Sequence, residues 1–254
     1  MREISIGLVS ALLCLATPVI AAEANPFNSA TPYEACLDAV DADPDDGWEK
    51  AYAWREAGGG LPADHCAAEA LLALGYYVDA AVRFGALARN ERSGTAGQRA
   101  ALFASSGNAF LLADQAFAAA EEISEALKLS PRDPNLWKDR ARARAGLHDW
   151  PGAETDLTAA LQFEQNDPEL YVLRASALTA QGRAGEARVN LDAALELDPS
   201  YPSALVDRGA MRLAEGDVDG ARADWIEVLR TAPQSAAADS ARAHIEALEV
   251  NPDL

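Results

Sequence analysis

The sequence has few basic residues and little histidine. It contains 21 Lys and Arg against 40 Asp and Glu, so its net charge is −19, and it has 3 His. Nucleic acids and anionic membrane faces bind proteins through basic patches, which this composition disfavours. We therefore expect no nucleic-acid partner and no attraction to anionic lipid.

Catalytic motifs are missing as well. The sequence contains no GxSxG, HExxH, phosphate-binding loop or GxGxxG pattern, and its histidines (His65, His148 and His244) are far apart in the chain. The acidic run 41–47 partly matches a calcium loop, but its glycine is one place late and Tyr52 stands where the loop needs Glu. We therefore predict that the protein is not an enzyme and holds no metal or cofactor.

Long hydrophobic runs are scarce, and the first one lies at the start of the chain. Arg2 precedes an apolar stretch, Ile4–Ala16, which is too short for a membrane-spanning helix of about 20 residues. Pro18 and small residues up to Ala24 follow it. This pattern predicts a cleaved signal peptide over residues 1–24, and hence a periplasmic protein with no membrane insertion after cleavage.

Cysteine is also rare, with 3 in the chain. Cys14 belongs to the predicted leader, which leaves Cys36 and Cys66 in the mature protein. In an exported protein such a pair predicts a disulfide. Two buried free thiols are the alternative. A metal site is disfavoured because His65 is the one nearby side chain that could add a ligand.

What the sequence does contain is a repeat of 34 residues. Pro134, Pro168 and Pro202 are spaced by this interval, and a further unit begins at Ala100. Each unit has small residues near its positions 8, 20 and 27, a turn-forming residue near position 15 and, in three units, a proline at position 32. In the unit that begins at Pro168 these residues are Ala175, Gly182, Ala187, Ala194 and Pro199. Small residues at helical spacing on both sides of a glycine predict two closely packed antiparallel helices.

This pattern resembles the tetratricopeptide repeat (TPR). The resemblance implies an all-α fold, a right-handed α-solenoid of stacked antiparallel helix pairs with a C-terminal capping helix. After the signal peptide we expect an N-terminal helical region at 25–60, a degenerate first repeat and linker at 61–99, four contiguous units at 100–235, and a capping helix and tail at 236–254. The cysteine-bearing N-terminus is similar to that of exported TPR proteins of Gram-negative bacteria.

A second regularity predicts a polar contact inside three of the four units. Arginine recurs at position 7 and an acid or amide recurs at position 23, which lie at similar distances from the turn. The pairs are Arg140 with Asp156, Arg174 with Asn190, and Arg208 with Asp224. We predict that each arginine bonds the partner on the second helix of its own unit.

The family resemblance also implies a binding surface. TPR proteins bind peptides or proteins on a concave side that is lined by the first helix of each unit. Lys138 and Arg142 would form a basic spot for an acidic side chain or a terminal carboxylate; alternatively, they pair with Asp139 and Glu169 and only solvate the groove. The implied groove residues in this chain are Asn108, Lys138, Asp139, Arg142, Glu169, Val172, Ser176, Thr179 and Asp207.

The predicted function is that of a non-enzymatic interaction module, a TPR scaffold or adaptor in the cell envelope. The alternative is an accessory or regulatory subunit of an envelope enzyme or assembly machine. Self-assembly through the repeats is a further possibility, with the oligomeric state left open. If the groove does not bind the partner, the N-terminal helices around Trp48 and Trp54 are the next candidate.

Overall fold

The computed structural model describes residues 31–250, which form thirteen α-helices and one 3-10 turn. The predicted signal peptide lies outside these residues. Within them, no helix combines the length and the apolar character that crossing a membrane requires. The helices are α1 (Thr31–Ala42), α2 (Pro44–Glu56), α3 (Gly60–Ala73), α4 (Tyr77–Arg89), α5 (Ala96–Leu112), α6 (Ala116–Leu129), α7 (Pro134–Gly146), α8 (Trp150–Leu161), α9 (Pro168–Ala180), α10 (Ala184–Leu197), α11 (Pro202–Ala214), α12 (Val218–Thr231) and α13 (Ala236–Val250), and the 3-10 turn is Glu91–Ser93.

The helices begin and end where the repeat pattern predicts. Pro134, Pro168 and Pro202 are the first residues of α7, α9 and α11, where the missing N–H has no helical partner to lose. Gly182 and Gly216 end the first helices with φ of 75° and 86°. This left-handed backbone is open to glycine at little steric cost. In the two preceding units the same turn position is held by Asp114 and His148, each with φ of 58°.

Each helix packs against the next along the chain, so the units stack in sequence order. The two helices of one unit meet through small side chains. Ala175 and Ala187 are 2% and 0% exposed, which confirms their predicted place at the contact between α9 and α10. Four contiguous pairs, α5–α6, α7–α8, α9–α10 and α11–α12, therefore bury a continuous core of alanine and leucine.

The predicted polar contacts inside the units are confirmed. Arg140 donates two hydrogen bonds to Asp156, at 2.9 and 2.8 Å. Arg208 does the same to Asp224, at 3.0 and 2.8 Å. Arg174 donates to Oδ1 of Asn190 at 2.7 Å. In these three units the bonds hold the first helix against the second.

The N-terminal helices are joined by the predicted disulfide. Cys36 on α1 and Cys66 on α3 are bonded, with their Cα atoms 6.3 Å apart. Beside the disulfide the hydroxyl of Tyr33 lies 2.9 Å from Nδ1 of His65, and the ring of His65 packs edge-on against Phe84. Burial lowers the pKa of His65 to about 4, so the ring is neutral at pH 7.

The other end of the solenoid is closed by α13. Ser235 caps this helix by accepting a hydrogen bond from the backbone N–H of Ala238 at 3.1 Å, as the sequence predicts. Ala238 and Ala241 are fully buried against the preceding unit. His244 stacks on Trp225 of α12 with ring centroids 4.7 Å apart. The last unit is therefore covered by helical side chains.

Candidate binding groove

The first helices of the four units, α5, α7, α9 and α11, carry all nine residues that the sequence implies for binding. We call the face formed by these helices the groove. Polar contacts cross it between successive first helices: Asn108 of α5 donates to Asp139 of α7 at 3.1 Å, and Arg142 of α7 donates to Glu169 of α9 at 2.5 Å. Four of the nine implied residues are therefore joined by hydrogen bonds across successive first helices.

The predicted basic spot is paired within the protein. Nζ of Lys138 lies 3.2 Å from Asp167 and 2.9 Å from Glu169. Arg142 bonds Asp139 at 3.0 Å in addition to Glu169. Burial alone disfavours the charge on Lys138, but hydrogen bonding and attraction to Glu169 and Asp167 outweigh it and raise its pKa. Both cations already have carboxylate partners, which is the alternative that the sequence left open.

The remaining predicted residues lie on α9 and α11. Val172, one of the implied groove residues, is only 6% exposed and packs in the core. Ser176 donates its hydroxyl to the backbone oxygen of Val172 at 3.1 Å. Ser176, Thr179 and Asp207 line a pocket between the two helices. Ser176 and Thr179 are exposed, and Asp207 is partly buried.

This α9–α11 pocket encloses about 680 Å³. Its floor comes from Leu191 and Ala184 of α10. Most of its surface is apolar, and the acidic side chains in it are those of Asp207 and Glu215. The lining consists of Ala175, Ser176, Thr179, Ala180, Ala184, Leu191, Asp207, Ala210, Met211, Ala214 and Glu215.

A second pocket, one repeat earlier, shows why this one is open. Eight of the nine residues that line the α7–α9 pocket lie 34 places before residues of the larger pocket, and it encloses about 170 Å³. There Trp150 stands where the larger pocket has Ala184, and Arg142 stands where it has Ser176. Two large side chains fill the earlier pocket, whereas two small ones leave the α9–α11 pocket free.

Asp207 has different surroundings from the aspartate at the same position of the second unit. Its equivalent in the second unit, Asp139, accepts hydrogen bonds from Asn108 and Arg142, which occupy position 9 of their units. Around Asp207 the two position-9 residues are Ser176 and Ala210. Ser176 donates elsewhere and alanine has no donor, so no described residue donates a hydrogen bond to this carboxylate.

The electrostatics of the pocket follow from this arrangement. Burial without a partner raises the pKa of Asp207 to about 6, so the group is mostly ionised at pH 7. Glu215, at the edge of the pocket, is paired with Arg188 of α10. The pocket therefore presents one carboxylate, inside an apolar wall, that the protein itself does not neutralise.

Sequence analysis found Asp207, Ser176 and Thr179 but missed the pocket that they line. It also missed Ala184, Ala210 and Met211, which are small or flexible residues with no chemical signature of their own. A signal was present in the repeat alignment, because Ala184 aligns with Trp150. Within residues 31–250, no group of three or more His, Cys, Asp or Glu side chains is placed to hold a metal ion.

Several solved structures that superpose on this chain are described as TPR proteins. The C-terminal part of a TPR repeat-containing protein from Cytophaga hutchinsonii superposes with a TM-score of 0.64 at 16% identity, over 84% of this chain and 88% of that one. YrrB gives 0.52 at 17% identity, over 75% and 96%. MamA from Desulfovibrio magneticus gives 0.56 at 13% identity, over 68% and 98%. The protein has the TPR solenoid fold.

No protein-family model matches the chain, and no curated protein matches it in sequence. The likeness of the TPR solenoid to these structures is therefore a likeness of fold. The repeat pattern, the helix bounds and the superpositions agree on the same architecture. The α9–α11 pocket lies between two of the first helices that form the groove.

Proposed function

We propose that this TPR solenoid is a non-enzymatic interaction module that binds a peptide or a protein segment in its groove, centred on the α9–α11 pocket. The observation that carries the proposal is the open pocket beside the Asp207 carboxylate, in a repeat array whose equivalent pocket is filled by Trp150 and Arg142. An apolar cavity with a few polar groups is the usual form of a binding site.

One structural neighbour supports this use of the fold. YrrB is described as a TPR protein with an unusual peptide-binding site. In this chain an extended segment of a partner could run along α7, α9 and α11 and place one side chain in the α9–α11 pocket. The paired cations Lys138 and Arg142 would then border the segment and align it through polar contacts.

We place the protein in the cell envelope, on the periplasmic side. The predicted signal peptide directs export. The Cys36–Cys66 disulfide agrees with that location, because disulfides persist in oxidising compartments. Cell fractionation tests this part of the proposal. Recovery of the leaderless, oxidised chain with periplasmic markers is expected, and recovery of the reduced chain in the cytoplasm would contradict it.

Site-specific crosslinking tests the groove. A photoreactive amino acid replaces Thr179 in the pocket, and the matched control replaces Val189, which is 68% exposed on α10 and outside the pocket. After irradiation of intact native cells, one partner should be captured through position 179 and not through position 189. Capture through position 189 alone, or equal capture at both positions, would move the site away from the groove.

The nature of the captured partner decides between the two roles that the sequence suggests. A structural or secreted protein would make this chain a scaffold or adaptor. An enzyme whose rate changes on binding would make it an accessory or regulatory subunit. Either result keeps the groove as the binding site, because the crosslink reports position and not the kind of partner.

A further inference from the structure

We infer that the α9–α11 pocket takes the positively charged side chain of a lysine or arginine in the partner, and that Asp207 is the carboxylate which pairs with it. This inference rests on the proposed function, because it names the side chain that anchors the peptide in the groove. It reverses the charge preference that the sequence predicts, in which Lys138 and Arg142 receive an acidic peptide.

The first argument is the missing donor at Asp207. Asp139, its equivalent, is satisfied by Asn108 and Arg142 from inside the protein. At Asp207 those donors are replaced by Ser176, whose hydroxyl bonds Val172, and by Ala210. A half-buried carboxylate without a donor is unfavourable. A cation supplied by a partner would complete the set of bonds that the second unit makes internally.

The second argument is the shape of the pocket. Lysine and arginine have an aliphatic stem and a charged end, so they fit cavities with apolar walls and a polar terminus. Here the walls are alanines with Leu191 and Met211, and the polar end is Asp207 with the hydroxyl of Thr179 nearby in the lining. Methionine is flexible and can adapt to a long side chain.

Charge excludes the other kinds of anchor. An acidic side chain would bring a third carboxylate into a pocket that already contains Asp207 and Glu215. A purely apolar side chain would cover Asp207 and remove its remaining water without replacing it by a donor. Arg188 of α10 is bonded to Glu215, the second acid of the pocket. The net charge of −19 also attracts basic segments over a longer range.

Short peptides test the inference directly. The probes are three acetylated and amidated alanine pentapeptides whose central residue is lysine, norleucine or glutamate. Norleucine has nearly the length of lysine without its charge, so it separates shape from charge. Binding to the oxidised mature chain is followed by backbone amide shifts in NMR titrations, which detect millimolar affinities. The lysine peptide should shift the amides of Thr179, Asp207 and Met211, and should bind at least tenfold more tightly than the other two.

Two variants provide the matched comparison. Asp207→Asn removes the pocket charge at nearly constant volume, whereas Asp219→Asn removes one exposed charge on α12, outside the pocket. The preference for lysine over norleucine should vanish in Asp207→Asn and persist in Asp219→Asn. Unchanged amide spectra away from the pocket verify that both variants are folded.

Three results would overturn the inference. The first is equal binding of lysine and norleucine, the second is a lysine preference that survives Asp207→Asn, and the third is no shift at the pocket with any peptide. None of these removes the proposed function, because the crosslink at position 179 would still place a partner in the groove. Loss of that crosslink, in contrast, would remove the proposed function itself.

Discussion

Trp225 occupies the space that a side chain on Gly209 would need. A Cβ at Gly209 would lie 2.4 Å from Nε1 of Trp225, which is far inside van der Waals contact. Gly107 has the same relationship to Ile123, also at 2.4 Å. Both pairs stand at positions 8 and 24, in the last and the first of the four units. In the two middle units the same positions hold alanine and leucine, which are Ala141 with Leu157 and Ala175 with Leu191. At Gly209 the missing methyl group is therefore matched by a larger residue across the helix contact, Trp225 in place of leucine.

This complementarity predicts the effect of Gly209→Ala. The added methyl group overpacks the contact with Trp225, so the free energy of unfolding should fall by about 1–3 kcal/mol. Trp225→Leu alone should also destabilise the fold because it leaves a cavity. The double variant recreates the Ala–Leu pair of α9 and α10, so its cost should be smaller than the sum of the two. Denaturant unfolding measures all three, and strict additivity would contradict the proposed contact.

The disulfide should stabilise the N-terminal helices in particular. Its cysteines are separated by 30 residues, and closing a loop of this size contributes about 3–4 kcal/mol in the chain-entropy model. The double variant Cys36→Ser with Cys66→Ser should lose that amount. Hydrogen exchange should accelerate in α1–α3 and remain slow in α9–α12. Titration of two free thiols per chain in protein from native cells would rule out the bond in its natural setting.

The pH dependence of stability should carry the signature of Asp207. Its pKa in the folded state is about 6, above the value of about 4 in an unfolded chain. Between these values the native state binds more protons, so this group stabilises the fold below about pH 4 and loses that contribution as the pH rises through 6.

Asp207→Asn should therefore be more stable than the wild type at pH 7, by on the order of 1–3 kcal/mol, and nearly equal to it at pH 4. His65, whose pKa is lowered to about 4, changes stability in the opposite direction over this range. It is present in both proteins and cancels in the difference. A difference in unfolding free energy that does not vary between pH 4 and 7 would mean that Asp207 has an ordinary pKa.

The cations in the groove give a prediction that separates binding from folding. If Lys138 and Arg142 formed the basic spot that receives the partner, reversing their charges would weaken binding at least tenfold with unchanged melting. Their bonds to Asp167, Glu169 and Asp139 indicate a structural contribution as well. We therefore expect Lys138→Gln with Arg142→Gln to lower the melting temperature by a few degrees, corresponding to about 1–2 kcal/mol.

In the same variant, affinity for the captured partner should fall less than it does in Asp207→Asn. Thermal unfolding and a binding titration on one preparation measure both effects. A tenfold loss of affinity with no change in melting would restore the basic spot as the principal anchor of the partner.

Replacing the buried Asp156 by alanine should destabilise the fold more than replacing it by asparagine. Its side chain is 1% exposed and bonds both Arg140 and Arg144, at 2.8 and 3.0 Å. Asp156→Ala leaves Arg140 without a carboxylate and Arg144 with only the longer contact to Asp149, so it should cost about 3–5 kcal/mol. Asp156→Asn copies the Arg174–Asn190 pair of the next unit and should cost less. Equal losses in urea unfolding would mean that the charge itself, and not the hydrogen bonds, holds the helices together.

Much of the fold could be predicted because its determinants are local. Prolines at the first helical residue, Gly182 and Gly216 in the turns, and alanines at helical spacing each act within one unit. The pairing of Arg140 with Asp156 also follows from positions inside one helix pair. Repetition of these signals every 34 residues then specifies stacking, because a single pair cannot bury its apolar face.

The candidate site depends instead on contacts between units, which the spacing of residues does not reveal. Lys138 finds its carboxylates at the start of the following unit, so a cation that looks available in the sequence is paired in the fold. Asp207, in contrast, receives no hydrogen bond from a described residue, because the donors available to Asp139 are replaced by Ser176 and Ala210. Ala184 opens the pocket only because α10 places it where the previous unit has Trp150. The sequence by itself determined the solenoid, and the tertiary structure decided which charges a partner can reach, because hydrogen-bond pairing is settled by distances across neighbouring helices.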